Sequence, residues 1–245
     1  MSVIFKRKNF KEDCDSIVNI IYDEKYGRVQ NYLAKNFELD LNLLYSLDKN
    51  AGYNIITQTL SARYENSEIE IADKIDKLAC HWNDIEFDIF RMLYDIFGCE
   101  KIYKNDIIAE FSINSVCPRY LDKWSFDINY RKSIEEMVLT CIHEIIHFVW
   151  FEKWVELFDN ISKDEYNAPS ATWLLSEIVI DAIIKETELK KYCSEKQPAY
   201  KHFYDIQIDD VNVMAYFRNL FNSCDIHKFM SEGYRYVVEN KQMLW

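Results

Sequence analysis

One apolar segment constrains the fold of this chain more than any other. Residues 138–151 are apolar at most positions and contain neither glycine nor proline, which predicts a helix with a wide buried face. The same segment carries His143 and His147, and residues four apart in a helix lie one above the other on the same face. Their imidazole rings can therefore converge on one point.

The residues between and including these histidines form an H-E-x-x-H motif. Two imidazole nitrogens at this spacing can bind Zn²⁺ at about 2.0–2.1 Å. Glu144 projects beside the rings, where a carboxylate can take a proton from zinc-bound water. The alternative is a surface helix with two histidines and an ordinary acid. Because the chain has five histidines in all and two of them fall at ligand spacing, we favour the metal site.

Glu177 is the strongest candidate for a third ligand, since a catalytic zinc needs three protein ligands and one open position. It lies in residues 173–184, which are apolar nearly all round as a helix and are therefore expected to be buried. A buried carboxylate is costly unless it is paired or bound to a metal. Asp181, one turn further on, can accept the second ring N–H of a ligating histidine. The alternative is a pair of solvated acids on an exposed stripe.

The H-E-x-x-H motif followed by a helix with E-x-x-x-D resembles the gluzincin branch of the zincin metallopeptidases, over residues 133–185. The resemblance implies that His143, His147 and Glu177 bind zinc, that Glu144 is the general base and that Asp181 supports a histidine. The chain lacks an H-x-x-G-x-x-H extension, which argues against the metzincin branch. It has four glycines and no glycine-rich exopeptidase-type segment, which argues against the aminopeptidase subgroup.

Composition and periodicity predict a predominantly helical α+β fold. Four glycines and three prolines in 245 residues favour helices over turn-rich β structure. Residues 11–98 have mostly helical patterns, clearest in Cys14–Tyr26, Gln30–Leu47 and Ile69–Phe97, with Gly98 as a C-cap of the last. A small sheet follows, from extended residues 102–114 and a strand over residues 124–130.

The zincin-like active-site helix then begins at a capping box, Ser133-x-x-Glu136. Residues 167–170 predict the start of the glutamate-ligand helix, which runs to about residue 189. We therefore divide the chain into an N-terminal helical region, 1–98, and a zincin-like catalytic region, 99–245, although the two can also form one continuous domain. If strand 124–130 lies at a sheet edge, it can pair with an extended substrate; otherwise it is a plain core strand.

A hydrolase of this kind benefits from a donor to the oxyanion that forms when water attacks a carbonyl. The candidates are His202 and Tyr204, in the loop-rich residues 190–210, and His227. Each of the three also fits a purely structural role.

Charge and cysteine content limit the partners and the compartment. The net charge of −12 argues against nucleic acid and against anionic membrane surfaces. We expect no transmembrane helix, because no apolar run is long enough, and no signal peptide, because no apolar region follows the basic residues 6–8. The seven cysteines are odd in number and show no C-x-x-C spacing, so we expect reduced thiols and a cytoplasmic location.

The sequence thus predicts a zinc-dependent hydrolase, in the first place a metallopeptidase acting on a peptide or protein. Two alternatives stay open. One is a helical binding or regulatory protein with a structural or degenerate zinc site, and the other is a zinc amidohydrolase acting on a non-peptide substrate. The oligomeric state is not indicated by the sequence.

Overall fold

The computed structural model describes residues 2–23, 27–98, 105–158, 162–193 and 197–245. Most of this part of the chain is helical, and its strands form one four-stranded mixed sheet and one two-stranded sheet. The predicted class, a predominantly helical α+β fold with a small sheet, is confirmed. Among these residues, no helix combines the length and the apolar character needed to cross a bilayer.

The helices and strands follow one another in this order: β1 (Val3–Arg7), α1 (Phe10–Tyr22), α2 (Gly27–Phe37), α3 (Leu41–Ser46), α4 (Lys49–Asn66), α5 (Glu68–Phe97), β2 (Ile107–Ser112), β3 (Arg119–Tyr120), β4 (Ser125–Asn129), α6 (Ile134–Leu157), α7 (Ala171–Lys185), β5 (Gln207–Ile208), β6 (Val211–Asn212), α8 (Val213–Ser223) and α9 (Ile226–Leu244). Short 3₁₀ turns connect several of them, including Lys201–Asp205 before β5.

The chain forms two compact units, each built from two separate stretches. The sheet unit comprises residues 2–83 and 106–137, and the site unit comprises residues 84–105 and 138–245. This division differs from the predicted boundary at residue 98. The reason is a long-range pairing, since β1 lies parallel to β2 with Val3 opposite Ile107 and so ties the start of the chain to its middle.

In the sheet unit the strand order is β1-β2-β4-β3, with β3 antiparallel to β4 and the other pairs parallel. The strand predicted over residues 124–130 is observed as β4, and all five of its residues are buried. It lies inside the sheet, and beyond the short β3 its amides at Asp127 and Asn129 donate to Pro118 O (2.9 Å) and Cys117 Sγ (3.2 Å). The edge-strand alternative is therefore wrong for this strand. Residues 102–104 of the predicted extended segment lie outside the described residues.

In the sheet unit, backbone conformation and capping residues set helix boundaries that the apolar periodicity alone does not predict. The segment predicted as one helix over residues 30–47 is two helices, because Glu38 takes a left-handed conformation (φ 58°) and Leu39 N donates back to Ala34 O (2.8 Å). This bond closes α2 in the manner of a Schellman motif. Asp40 then starts α3 by accepting from the backbone N–H of Asn42 (2.9 Å). The end of the first predicted helix, residues 24–26, lies outside the described residues.

The site unit is built mainly from helices. Gly98 ends α5 with a positive φ of 63° while its N–H donates to Tyr94 O (2.8 Å), which confirms the predicted cap. Helix α7 packs against α8 and α9, and it is buried on all sides from Leu174 to Ile184. The apolar pattern of residues 173–184 thus predicted a central helix correctly.

The sheet unit also contains a buried cluster of charged side chains. Lys8 Nζ lies 2.6 Å from Asp127 Oδ1 and 3.5 Å from Glu110 Oε2. Burial opposes the charge of Lys8, but attraction to Asp127, the hydrogen bond with it and the nearby Tyr120 and Glu110 together outweigh this and raise the pKa of the ammonium. Asp13, close to the same lysine, accepts from Ser112 Oγ and from Ile113 N. Burial nevertheless raises the pKa of Asp13 to about 6, since the hydrogen bonds and Lys8 offset only part of its desolvation.

We expect Asp13 to make the stability of the protein depend on pH. Its pKa rises on folding from 3.8 to about 6, so the folded state holds the extra proton and loses stability as the pH climbs through this interval. Asp13→Asn stays neutral throughout. The free energy of unfolding of the wild type should therefore fall by about 2–3 kcal/mol relative to the variant across this window and stay level above it. Urea unfolding of both proteins at a series of pH values measures the difference, and a difference that does not change with pH would contradict the assignment.

Candidate metal centre

Helix α6 places the two histidines of the motif. It starts at the predicted capping box, where Ser133 N donates to Glu136 Oε2 (2.8 Å) and Glu136 N donates to Ser133 Oγ (3.3 Å). From there the helix continues unbroken past His143 and His147. The apolar side chains of its buried arc, Val138, Ile142, Ile145, Ile146 and Val149, fix the rotation of the helix and thereby the direction of both rings.

Helix α7 supplies the carboxylate. Ser170 caps its start by accepting from Trp173 N (3.0 Å), as residues 167–170 predicted. The helix ends at Lys185, earlier than predicted, and a 3₁₀ turn (Glu188–Tyr192) capped by Thr187 follows. Glu177 is 4% exposed, so its carboxylate is held almost entirely out of water.

The structure brings the three predicted ligands together. His143 Nε2 and His147 Nε2 lie 3.0 Å apart. Glu177 Oε2 lies 3.5 Å from His143 Nε2, and Glu177 Oε1 lies 3.4 Å from His147 Nε2. These residues form the one group of three or more potential ligand side chains found among the described residues.

The spacing of these atoms fits a shared metal ion. Ligand atoms about 2.1 Å from one ion in a tetrahedral arrangement are separated from each other by about 3.3–3.5 Å. Each histidine Nε2 lies at about this separation from one oxygen of Glu177, Oε2 for His143 and Oε1 for His147, and the nitrogen–nitrogen distance is slightly shorter. Two imidazoles and one carboxylate are also a donor set suited to a divalent transition metal.

The hydrogen bond of His143 sets the tautomer of its ring. Its Nδ1 lies 3.0 Å from the carbonyl oxygen of Pro198. A carbonyl can only accept, so Nδ1 carries the hydrogen. In the neutral ring, Nε2 then carries a lone pair and faces His147 and Glu177. This tautomer is the form that can bind a metal through Nε2.

The electrostatics of Glu177 favour its ionised form. Burial alone would raise the pKa of this carboxyl. Attraction to His147 and to His143, and hydrogen bonds from both rings when they are protonated, more than offset that effect and hold the pKa well below its usual value in the metal-free protein. An anionic Glu177 is the form required of a metal ligand.

Glu144 lies beside the ligand group without belonging to it. Its Oε1 is 4.0 Å from His143 Nε2, and the metal-binding group does not include it. The side chains of His143 and Glu144 are 20% and 10% exposed, against 0% and 5% for His147 and Glu177. His143 is therefore the most exposed of the four side chains, and Glu144 beside it is largely buried.

Asp181 is placed differently from the prediction. It is fully buried one turn beyond Glu177, but its carboxylate accepts from Tyr204 OH (2.7 Å) and from Arg218 Nε (2.6 Å). For His143 the expected hydrogen bond to this aspartate is replaced by the bond to Pro198 O. Asp181 is thus connected to the ligand through other residues.

The three predicted oxyanion donors have different surroundings. The one hydroxyl hydrogen of Tyr204 is donated to Asp181. His202 packs its ring against Phe203, with 4.1 Å between the ring centroids. His227 stacks on Phe158, the residue that follows the end of α6. The contact places the ring of His227 beside the residue that follows α6, and its role as an oxyanion donor stays a prediction.

Two participants were missed by the sequence analysis. Pro198 contributes a backbone carbonyl, which no side-chain pattern can reveal. Arg218 lies in α8, a helix whose sequence carries no motif connected with the histidines. Arg218 could have been sought only as a cation for the buried Asp181, because a buried carboxylate needs a partner.

In comparisons with known proteins, no family model, curated protein or solved structure matches the chain. The candidate site therefore rests on the geometry described above.

We expect the protein to retain about one divalent transition-metal ion per chain when it is purified without chelator. His147→Ala should abolish this retention, because it removes a fully buried ligand and leaves two. His227→Ala is the matched control and should retain the metal, since its ring lies at the far end of α6. Elemental analysis of the three proteins measures the stoichiometry. A wild type that carries no metal and takes up none on addition of zinc would contradict the assignment.

Proposed function

We propose that this chain is a zinc-dependent hydrolase of the gluzincin type, and that it cleaves peptide bonds. The observation that carries the proposal is the three-ligand group with an acid beside it. The ligand atoms of His143, His147 and Glu177 all lie within 4.8 Å of one another, and Glu144 Oε1 stands 4.0 Å from His143 Nε2. Among the described residues no fourth histidine, cysteine or acid closes the group. A structural zinc site would be closed by a fourth protein ligand, so this arrangement favours catalysis.

The proposed chemistry assigns one task to each residue. A zinc ion held by the three ligands would lower the pKa of water and polarise a carbonyl group. Glu144 accepts a proton from the attacking water as the oxygen forms its bond to the carbonyl carbon. The same carboxyl then delivers that proton to the amide nitrogen as the carbon–nitrogen bond breaks. Glu144 thus returns to its starting state after each cycle.

The choice of zinc and of a peptide substrate depends on different arguments. Zinc is supported by the donor set of two imidazoles and one carboxylate, whose ligand atoms lie within 4.8 Å of one another. The peptide substrate is supported by the sequence resemblance over residues 133–185. The net charge of −12 disfavours nucleic acid as a substrate.

We place the protein in a reducing compartment, the cytoplasm. Cys14, Cys80, Cys193 and Cys224 are free thiols. Cys193 is buried, and burial raises the pKa of its thiol to about 12, which makes it a poor nucleophile and a structural residue.

We expect Glu144→Gln to keep the metal and the fold but to lose hydrolysis by at least about 100-fold. Glutamine has nearly the same shape as glutamate and cannot accept the proton. Glu156→Gln is the matched control, because Glu156 is an exposed acid on the same helix, paired with Lys153 at 3.0 Å. Turnover of a peptide library and metal content are measured for all three proteins.

The outcomes of this experiment separate the candidate functions. Full turnover in Glu144→Gln would contradict its role as the base. A wild type that holds zinc but cleaves no peptide, with cleavage of small amides instead, would move the assignment to a non-peptide amidohydrolase. Zinc without any hydrolysis would favour a binding protein.

A further inference from the structure

One peptide group connects the metal site to a buried hydrogen-bond network. The peptide between Pro198 and Ala199 accepts from His143 Nδ1 through its carbonyl oxygen (3.0 Å). Its N–H, on Ala199, donates to Tyr204 OH (3.3 Å). Because a peptide group is planar, fixing the direction of the N–H also fixes the direction of the carbonyl. The bond to Tyr204 therefore orients the acceptor that His143 uses.

Tyr204 is itself held from two sides. Its hydroxyl donates to Asp181 Oδ1 (2.7 Å), and its backbone carbonyl accepts from Asn212 Nδ2 (2.9 Å). Burial and the hydrogen bond to Asp181 raise the pKa of the phenol, so it remains a donor across the physiological range. The hydroxyl thus donates to the carboxylate and accepts from the peptide at the same time.

Asp181 is the fixed end of this network. Its side chain is 0% exposed, and Arg218 Nε donates to its second oxygen at 2.6 Å. Asp181 lies on α7 one turn beyond Glu177, so the helix that supplies the carboxylate ligand also anchors the partner of Tyr204. A buried carboxylate bound by an arginine and a phenol has little freedom to reorient.

We propose that Tyr204 is a positioning residue for the metal site. It couples Asp181 and Arg218 to the Pro198–Ala199 peptide, and this peptide holds His143 in the tautomer and ring orientation that bind a metal. The inference rests on the proposed metal site, and it assigns to Tyr204 a role different from donating to the substrate. It also explains how Asp181 can support His143 without touching it.

The expected size of the effect follows from known outer-shell partners of metal ligands, whose loss typically costs 10–100-fold in metal affinity. Tyr204→Phe removes only the hydroxyl, which leaves Ala199 N–H without this acceptor and Asp181 without this donor. We expect zinc affinity to fall by about 10-fold. Asp181→Asn should produce a loss of similar size. Because both residues act through the same hydrogen bond, the double variant should lose little more than either single variant.

The experiment measures zinc affinity by competition with a chromophoric chelator, and the absorption spectrum of the cobalt-substituted protein. Tyr216→Phe is the matched control, since Tyr216 is a half-buried tyrosine of the same unit that stacks on Tyr236; its zinc affinity should equal that of the wild type. Thermal unfolding of the metal-free proteins shows whether a loss of affinity merely follows a loss of fold. Imidazole nitrogen NMR shifts of His143 in metal-free protein report the hydrogen on Nδ1 and its hydrogen bond.

The proposal is supported if Tyr204→Phe weakens zinc binding about 10-fold, changes the cobalt spectrum and disturbs the Nδ1 signal while the metal-free protein stays folded. A zinc affinity within about twofold of the wild type would overturn it, and so would fully additive losses in the double variant. A loss explained by partial unfolding would overturn it as well. If the wild type binds zinc but hydrolyses nothing, the proposed function fails while this test still decides the role of Tyr204. If the wild type binds no zinc, the NMR signal decides alone, and an unchanged Nδ1 signal in Tyr204→Phe would refute the inference.

Discussion

The burial of Glu177 between two histidine rings is the constraint on which the site unit depends. Its carboxylate oxygens lie 3.4 and 3.5 Å from the Nε2 atoms of His147 and His143. Removing a carboxylate from water costs several kcal/mol unless a positive charge or hydrogen bonds compensate it. A helix that carries such a group inside must be covered on all sides, and α8 and α9 provide cover for α7. The packing of α7, α8 and α9 therefore keeps the carboxylate of Glu177 out of water.

Two other buried acids of the protein are paired with a lysine or an arginine. Asp127 has the permanent cation of Lys8 at 2.6 Å, and Asp181 in the site unit likewise has Arg218 at 2.6 Å. In each pair the acid favours the charged form of its cation and raises the pKa of Lys8 or Arg218. The partners of Glu177 are histidines, which are charged only when protonated. Since Pro198 holds the hydrogen of His143 on Nδ1, the cluster is organised to present a lone pair toward Glu177 rather than a proton. A metal ion bound there would satisfy all three groups at once.

The features that sequence predicted well are those encoded within a few residues. The caps at Ser133, Ser170 and Gly98 form as expected, because each depends on a side chain or a backbone conformation within the same turn. The convergence of His143 and His147 follows from helical spacing alone. The pairing of β1 with β2 joins residues about a hundred positions apart, and no local pattern contains it. The break between α2 and α3 was missed for a different reason. The apolar periodicity continues across Glu38, but the left-handed conformation of Glu38 ends α2 and the cap at Asp40 starts α3.

The surroundings of His143 show why the hydrogen-bond partner of a candidate metal ligand is harder to predict than the ligand itself. A backbone carbonyl has the same chemistry at every position, so the sequence at Pro198 gives no sign that its oxygen accepts from a histidine. What the sequence can show are the groups that fix this carbonyl, because they must be polar side chains able to remain buried. Tyr204 and Asp181 were both singled out, one as an oxyanion donor and the other as a direct partner of histidine. Their mutual hydrogen bond of 2.7 Å combines the two into a single support, in which the acid acts on the ligand through the phenol and the peptide. Residue types and spacing therefore singled out His143, His147 and Glu177, which the fold brings together, while the hydrogen bonds around them required the folded chain.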